Sequence, residues 1–434
     1  MKTTVRTNPA IGETIISFTH SSGLPVYINP KPHATAFAVI AAKFGSCDTA
    51  FRLSSEKRFT SVPDGTAHFL EHKLFDSESG ENAFERYALT GAEANAYTTF
   101  ERTAFQFSCT ENFDENLSIL LDLVTHPYFT SSSVKKETGI ICQEIGMYDD
   151  DPDWQLQKNL LDALYVRNPV KIDIAGTAGT IAGITPELLY RVHGAFYHPS
   201  NMVLCISGNV TPEQVAAVCD ACLTAEPAPD IILLPSDEPE RINRRRVTSE
   251  LEVAQPLFAV GIKEPVPDPS DNDLRRSAEH AILLQMMFGQ SGSFYCDAYE
   301  SGLLTDRFDF GYVNSRDWSY ISVEGAADNP DAVLPAVLAE IEKRREVFFT
   351  DEEFSRAKKV VYASELLAYT GTADTASRMS AAALEGCDIL DYADIIASVT
   401  PEDVRKRLDS GYDPDTAAIS IVFPRNHTGK DTEK

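Results

Sequence analysis

The stretch TPELLYRVHGAFYHPSNMVLCI, residues 185–206, returns in altered form as TPEDVRKRLDSGYDPDTAAISI, residues 400–421. Both copies begin with Thr-Pro-Glu, which predicts a helix N-cap with proline in the first turn. Both place a tyrosine twelve residues after the threonine, at Tyr197 and Tyr412, and both then enter an apolar strand. Because the offset is 215 residues, far longer than a solenoid repeat, the pattern predicts two related domains.

The junction between the two halves is visible in the composition. Residues 225–246, AEPAPDIILLPSDEPERINRRR, are rich in proline and charge and show no sustained hydrophobic period, which is typical of a linker. We therefore predict an N-terminal domain over residues 1–224 and a homologous C-terminal domain over residues 247–434. The chain of 434 residues is long enough for two or three domains.

Each half places strands first, then helices, then a closing strand. In the first half, TIISFTH and LPVYINP flank Ser-Ser-Gly, which indicates a hairpin, and the buried strand TAFAVIAAKFG follows. Helices are predicted near residues 65–76, 81–90, 115–125, 134–148 and 154–164, and strands near 94–109 and 201–207. This order predicts an α+β fold with two homologous α/β-roll domains, each an antiparallel-rich sheet with helices packed on one face.

Charge and hydropathy exclude several classes of function. The sequence carries 65 acidic and 38 basic residues, a net charge of -27, whereas nucleic-acid binders have basic faces. No apolar run approaches the roughly 20 residues that cross a bilayer, and the N-terminus lacks the layout of a signal peptide. Eight scattered cysteines suit a reducing compartment. We expect a cytoplasmic protein that binds neither nucleic acid nor membrane.

The stretch GTAHFLEHKLFD, residues 65–76, predicts a metal centre. His68 and His72 are four residues apart, so both imidazoles lie on one helical face and can reach a single ion. Glu71 projects beside the pair, where it can take a proton from a metal-bound water. A catalytic zinc ion takes three protein ligands and a water. The alternative is a solvated helix face that happens to carry two histidines.

A third ligand has to come from another segment. Residues 134–148, VKKETGIICQEIGMY, have a helical pattern in which Glu137 and Glu144 are seven residues apart and share one face. The residues between them are apolar, and a carboxylate in such surroundings needs a partner, for which a metal ion is well suited. From these residues alone, either glutamate could be the ligand, and both could instead be surface residues.

His68-x-x-Glu71-His72 is the inverted zinc motif of the inverzincins. The wider sequence resembles the pitrilysin/insulinase (M16) family of zinc metallopeptidases. The resemblance is carried, in order along the first half, by PDGTAHFLEHKLF, GAEANAYTTFERTAF, LDLVTHPYF, KKETGIICQEIGMYDDDPDW, GTAGTIAGITPELL and FYHPSNMVLCISGNV. In length and two-domain plan the chain is similar to the processing-peptidase branch. It is also similar to the paired M16 proteins of bacilli that are associated with elongation factor P modification.

The resemblance implies a zinc metalloendopeptidase with one Zn2+ per chain. It implies that His68, His72 and Glu144 are the zinc ligands. It also implies that Glu71 is the general base and that Glu137 supports the glutamate ligand. The 71 residues between His72 and Glu144 are slightly fewer than is usual in the family, which a shortened loop would explain.

The strand NAYTT, residues 95–99, resembles the strand that borders the cleft of the family. An extended peptide substrate could pair with such an edge, which favours unfolded or flexible substrates. We therefore predict that Asn95 and Ala96 make backbone contacts to the peptide. The alternative for Asn95 is an ordinary residue at a turn or strand end.

The second half departs from the family's pattern. Its equivalent helix, AILLQMMFGQ, puts Ala281, Leu284 and Gln285 opposite the three motif residues, so we predict no metal site there. In AYESGLLTDRF, Tyr299 and Thr305 stand where the resemblance implies a substrate-binding arginine and tyrosine. We therefore expect a clam-shell heterodimer with a metal-free M16-like partner that supplies both.

Two other functions compete with a general peptidase. One is a non-catalytic structural or assembly subunit that has kept the peptidase fold. The other is maturation of one specific protein or ribosomal peptide by a single defined cut. The intact motif argues against the first, whereas the scope of the substrates would separate the second from general peptide turnover.

Overall fold

A computed structural model describes residues 2–266 and 273–425. These residues group into two units that are not contiguous in sequence. Unit 1 is drawn from Met1–Ile145, Asp173–Pro235 and Glu365–Ala393, and unit 2 from Gly146–Ile172, Ser236–Ser364 and Asp394–Lys434. Each unit therefore contains a helical segment from the other half of the chain. The sequence predicts that residues 1–224 and residues 247–434 form two homologous domains. The division into two units does not test that homology, which stays a prediction.

The strands divide between the two units. The strands of unit 1 are β1 (Thr4–Asn8), β2 (Glu13–Thr19), β3 (Pro25–Pro30), β4 (Ala36–Ala42), β5 (Ala50–Leu53), β6 (Thr60–Ser61), β7 (Glu93–Thr98), β8 (Thr103–Cys109), β9 (Met202–Gly208) and β10 (Ile231–Leu233). The strands of unit 2 are β11 (Arg246–Leu251), β12 (Leu257–Lys263), β13 (Phe308–Asn314), β14 (Ser319–Ala326) and β15 (Ala417–Pro424).

The helices follow the predicted segments of the first half and continue through the second. In chain order they are α1 (Thr66–Lys73), α2 (Ala83–Thr90), α3 (Phe113–Thr125), α4 (Ser131–Asp149), α5 (Pro152–Leu164), α6 (Ala178–Ile181), α7 (Pro186–Phe196), α8 (Pro212–Cys222), α9 (Asp273–Phe288), α10 (Ser293–Glu300), α11 (Val333–Glu346), α12 (Asp351–Leu367), α13 (Thr372–Leu384), α14 (Leu390–Ser398) and α15 (Pro401–Ser410). None of these described helices combines the length and apolar composition needed to cross a membrane.

The main sheet of unit 1 has the order β1-β2-β3-β9-β4-β8-β7. Neighbouring strands are antiparallel except β3 and β9, which are parallel. The predicted hairpin is β2–β3, and the stretch predicted as strand near residues 94–109 forms β7 and β8. Strand β10 lies inside the predicted linker and pairs with β5. The mostly antiparallel sheet with its packed helices confirms the α+β fold class.

Both faces of this sheet are covered, because side chains along a strand alternate between the two faces. On β4, Ala38 and Ile40 pack into the core that contains α1 and α3. The intervening Val39 and Ala41 pack instead with Met379 of α13. The helices on the first face agree with the prediction, and the structure adds α13, from the second half of the chain, on the opposite face.

The sheet of unit 2 has the order β11-β15-β12-β14-β13 and receives α5 from the first half of the chain. A Cβ atom at Gly261 of β12 would lie only 2.7 Å from Leu164 Cδ1, so the glycine allows α5 to pack closely on the sheet. Helix α9, predicted near residues 281–290, buries Leu284 and Phe288 as expected for an apolar helix.

The start of α1 is fixed where two segments of chain cross. Gly65 has a φ of 90°, and a Cβ atom there would lie 2.5 Å from the carbonyl oxygen of Ala175. Gly176 has a φ of 71°, and its Cβ atom would lie 2.4 Å from the carbonyl oxygen of Asp64. Only glycine fits both the positive φ and the close backbone approach. The crossing holds the helix that carries the His-x-x-Glu-His motif.

Candidate active site

Helix α1 is anchored by its apolar residues and presents its polar residues to α4 and β7. Phe69 and Leu70 are fully buried in the core of unit 1. His68 and Glu71 are only 7% and 9% exposed, so this polar face is not a solvated surface. The rings of His68 and His72 have centroids 4.6 Å apart. The helical spacing therefore brings both histidines to one place, as predicted.

Helix α4 supplies the two carboxylates. Its residues Val134 and Ile141 are seven positions apart and pack into the core of unit 1. Glu137 and Glu144 each lie three residues after one of these anchors, so both occupy the adjoining face of the helix. The apolar stripe of α4 thereby sets the direction in which both carboxylates point.

The geometry distinguishes the two glutamates, which the sequence leaves open. The carboxylate of Glu144 lies 3.6 Å from His68 Nε2 and 3.4 Å from His72 Nε2. Glu137 Oε1 lies instead 3.0 Å from His72 Nδ1. Glu144 thus shares the space between the two Nε2 atoms, whereas Glu137 contacts the far side of one ring. The resemblance implies that Glu137 supports Glu144, and in the structure its hydrogen bond goes to His72.

The donor set fits a divalent metal such as zinc. One ligand atom each from His68, His72 and Glu144 lies within 4.8 Å of the other two, and no other such cluster occurs in residues 2–266 and 273–425. Tetrahedral zinc with bonds near 2.1 Å separates its ligand atoms by roughly 3.4 Å. The distances from the Glu144 carboxylate to His68 Nε2 and His72 Nε2, 3.6 and 3.4 Å, are close to this value.

The two histidines differ in what their second nitrogen contacts. His72 Nδ1–H donates to Glu137, which turns Nε2 towards Glu144, the pairing that metal-ligating histidines commonly use. Burial lowers the pKa of His72, but the hydrogen bond to Glu137 and the charges of Glu144 and Glu71 outweigh it and raise the pKa. His68 Nδ1 is buried and has no hydrogen-bond partner among the described residues.

Glu71 forms a hydrogen bond with strand β7. The hydroxyl of Thr98 donates a hydrogen bond of 2.6 Å to Glu71 Oε2. Burial raises the pKa of Glu71, although Thr98 and the two histidines of α1 act in the other direction. A carboxyl group with a raised pKa is suited to accept and return a proton near neutral pH.

The predicted substrate-binding residues lie on the edge of the sheet. Strand β7 is an edge strand of the sheet. In the turn between β7 and β8, Thr99 N–H donates to Arg102 O. Since hydrogen-bonded and non-bonded pairs alternate in an antiparallel ladder, the backbone of Ala96 points away from β8. The Ala96 N–H is instead capped by Oδ1 of the exposed Asn95 at 2.9 Å. Ala96 therefore presents its backbone to a free edge.

The residues of the second half at which the resemblance implies a substrate-binding arginine and tyrosine lie in unit 2. Tyr299 on α10 is 52% exposed. The Thr305 hydroxyl donates to the backbone oxygen of Ala326 at 3.3 Å. Arg307, two residues after Thr305, forms an ion pair with Asp153 and borders a cavity of about 320 Å³. Thr305 and Arg307 therefore both make their contacts within unit 2, with Ala326 and Asp153.

Comparisons with known proteins bear on this arrangement. The profile of the insulinase family, peptidase family M16, matches residues 60–178, and that of the peptidase M16 inactive domain matches residues 183–361. The zinc protease YmfH of Bacillus subtilis is 34% identical over 419 residues, which is 95% of this chain and 97% of that protein. The chain belongs to the M16 peptidase family.

Solved structures agree with the fold. An M16-like peptidase from Alicyclobacillus acidocaldarius superimposes with a TM-score of 0.89 at 32% identity and covers 98% of this chain and 99% of that one. A protease from Helicobacter pylori has a TM-score of 0.79, covering 94% and 99%, but its identity of 18% supports the fold alone. The M16 match over residues 60–178 contains α1, α4 and β7, the three elements of the site.

One residue of the site is missing from the sequence predictions. The sequence analysis predicts substrate contacts for Asn95 and Ala96 of NAYTT, but it assigns no role to Thr98, which contacts Glu71. A signal was present, because Ala94 and Ala96 pack against the core that contains α1. The period of two along a strand puts Thr98 on that same face. The sequence gives no means of knowing that the motif helix lies above it.

Proposed function

We propose that this M16 chain is a zinc-dependent endopeptidase. In this proposal His68, His72 and Glu144 hold one Zn2+ per chain, Glu71 is the general base, and Glu137 orients His72. The observation that carries the proposal is the convergence of three ligand atoms within 4.8 Å. Zinc-protease relatives such as YmfH support the choice of metal.

The chemistry divides between the metal and the side chains. Zinc, when bound, supplies Lewis acidity that polarises a peptide carbonyl and lowers the pKa of a water towards about 7. Glu71 takes the proton of the attacking water and returns it to the leaving amine. Glu137 keeps the His72 ring in the orientation that directs Nε2 inward. The burial of His68 and Glu71 strengthens these electrostatic interactions.

The free edge of β7 supports an extended peptide as the substrate. The Ala96 N–H donates to Asn95 Oδ1. A peptide strand that pairs with this edge would replace Asn95 as the acceptor of that hydrogen bond. Only a chain without its own secondary structure can present its backbone in this way, so unfolded or flexible segments are favoured. The net charge of -27 favours basic peptides among these. A single defined processing substrate would use the same edge.

We further propose that the chain is the metal-bearing subunit of a clam-shell heterodimer. Tyr299 and Thr305 occupy the positions at which the M16 resemblance implies an arginine and a tyrosine, and Thr305 is engaged by Ala326. A metal-free M16-like partner would supply both residues. We also propose that the protein is cytoplasmic, because the sequence lacks the layout of a signal peptide and its scattered cysteines suit a reducing compartment. On the resemblance, we propose that it is similar to the paired bacillus-type M16 proteins associated with elongation factor P modification.

The test is a digest of unstructured peptides by the zinc-loaded chain, with products read by mass spectrometry. We expect that cleavage, in the presence of the M16-like partner that the heterodimer requires, disappears when the chain carries Glu71→Gln, because this change removes the base and leaves the metal ligands in place. Glu78→Gln, an exposed glutamate just beyond α1, is the matched control and should cleave like the wild type. Bound zinc is measured by mass spectrometry and should be one ion per chain in all three proteins.

The same digest tests the partner. If the isolated chain binds zinc but cleaves only after an M16-like partner bearing the arginine and tyrosine is added, the heterodimer is supported. Full activity of the isolated chain would contradict the need for a partner. A chain that binds no zinc and cleaves nothing, with or without the partner, would contradict the peptidase and favour a non-catalytic assembly subunit.

A further inference from the structure

The hydrogen bond between Thr98 and Glu71 has properties that a surface contact lacks. The donor–acceptor distance is 2.6 Å, and Glu71 is 9% exposed, so water competes little for the carboxylate. A buried carboxylate is stable only if its oxygens have donors. Thr98 supplies such a donor from a different element, strand β7, to an acceptor on helix α1.

We propose that Thr98 is a positioning residue that fixes the orientation of the Glu71 carboxylate. The inference rests on the proposed role of Glu71 as the general base. With Oε2 held by the Thr98 hydroxyl, the other oxygen remains available for the water that attacks the peptide. The hydrogen bond of the Thr98 hydroxyl goes to Glu71, which is not a proposed metal ligand, so its effect passes through Glu71.

The surroundings of Glu71 explain why its orientation needs fixing. Glu71 lies on the same helix as His68 and His72, the proposed metal ligands, and directly precedes His72. The hydroxyl of Thr98 contacts its carboxylate from a different element. A general base must stay within hydrogen-bond distance of the proton that it abstracts, and a small displacement of the base strongly lowers the reaction rate. The hydroxyl therefore restricts the positions that the Glu71 carboxylate can adopt.

Strand β7 is a rigid support for this contact. All six of its residues pair with β8, from Glu93 opposite Ser108 to Thr98 opposite Thr103. The turn that follows is closed by the bond from Thr99 N–H to Arg102 O at 2.8 Å. The strand that orients the base is thus the one whose free edge is proposed to receive the peptide. Loss of the hydroxyl should consequently slow the chemical step and leave substrate binding intact.

Thr98→Val is the informative substitution, since it replaces the hydroxyl by a methyl group of similar size. We expect kcat to fall by about 10- to 100-fold, the range for losing a hydrogen bond to a charged group, with KM changed by less than about 2-fold. Thr98→Ser keeps the hydroxyl and should recover most of kcat. A merely structural role would not produce this separation of kcat from KM or the rescue by serine.

Thr125→Val is the matched control. The Thr125 hydroxyl donates to Leu121 O at the same distance of 2.6 Å, from a half-buried position on α3. This variant should keep the kcat of the wild type. Bound zinc should be equal in all variants, because the Thr98 hydroxyl bonds to Glu71 and not to a proposed ligand. A Thr98→Val protein with wild-type kcat, or one with a raised KM alone, would overturn the inference.

A second readout does not depend on activity. Crystal structures of the wild type and of Thr98→Val should show Glu71 Oε2 at the hydroxyl in the first and a displaced or rotated carboxylate in the second. An unmoved carboxylate in Thr98→Val would contradict the positioning role. If the wild type cleaves no peptide, either alone or with an M16-like partner, the proposed function fails, and the crystal structures still decide whether Thr98 orients Glu71.

Discussion

Helices α1 and α9 occupy corresponding places in the two halves of the sequence, and both bury histidine. On α1, the rings of His68 and His72 meet the carboxylates of Glu144 and Glu137. On α9, the fully buried His280 meets tyrosines, with Nδ1 at 3.0 Å from the Tyr412 hydroxyl. The partners of a histidine, rather than its burial, therefore separate a metal centre from a packed core.

The charges around the two kinds of histidine act in opposite directions. Burial lowers the pKa of His280 well below the usual value, and the positive charges of Arg407 and Arg276 add to the effect. The ring of His280 also stacks on Tyr312 with centroids 3.8 Å apart. For His72, the neighbouring carboxylates outweigh burial and raise the pKa. Carboxylates that favour a positive charge also favour a metal ion.

The largest expected effect is the loss of metal from α1 and not from α9. His72→Ala removes one of three ligands, so we expect loss of stoichiometric zinc and a fall in peptide cleavage of about 1000-fold or more. His280→Gln should keep one zinc and the wild-type cleavage rate, although it lowers the free energy of unfolding by about 1 to 3 kcal/mol. Bound zinc and initial rates measured on both variants check this. Stoichiometric zinc in His72→Ala would contradict the assignment of the metal site to α1.

A smaller effect is expected for the carboxylate behind His72. Glu137→Gln keeps the size of the side chain and removes the charge that fixes the ring, so zinc should bind about 10- to 100-fold more weakly. Competition with a chelator of known affinity gives the dissociation constant. Glu115→Gln on α3, an exposed glutamate, is the control and should leave the constant unchanged. Equal affinities for wild type and Glu137→Gln would remove Glu137 from the site.

The comparison extends to a third histidine through the pH dependence of stability. His193 stacks on Tyr197, and its Nε2–H donates to Val124 O at 2.9 Å. Burial lowers the pKa of His193 to about 4, whereas an unfolded histidine has a pKa of about 6.5. Between these values the unfolded chain binds the proton and the folded chain does not. The free energy of unfolding therefore falls as the pH drops below about 6.5.

Urea unfolding at pH 7.5 and pH 5 measures this effect. The loss of stability over that interval should be larger in the wild type than in His193→Phe by about 2 kcal/mol. An identical loss in wild type and His193→Phe would show that His193 is not held neutral by the fold.

The local parts of the site could be predicted from the sequence. The spacing of His68 and His72 and the spacing of Glu137 and Glu144 are properties of single helices, and the helical periods place each pair on one face. Which glutamate lies between the histidines depends on how α4 packs against α1. Two residues that share a face seven positions apart cannot be ranked without that packing, although the resemblance ranked them.

The exchanged helices could not be predicted from local pattern. The sequence of α13 indicates a helix with an apolar face, and Met379 on that face packs against the sheet of unit 1. An apolar face fits any sheet of suitable shape, so the pattern does not say which one. Thr98 was missed for a related reason, because the strand period gives its face, and only the fold brings Glu71 of α1 to that face.

The most direct test of the account is an anomalous diffraction map of the zinc-loaded crystal, recorded on both sides of the zinc absorption edge. The account predicts one zinc peak per chain, about 2.0 to 2.2 Å from His68 Nε2, His72 Nε2 and a carboxylate oxygen of Glu144. Glu137 should remain on His72 Nδ1 and outside bonding distance of the ion. A peak ligated by Glu137 in place of Glu144, or no peak between the histidines, would contradict the account.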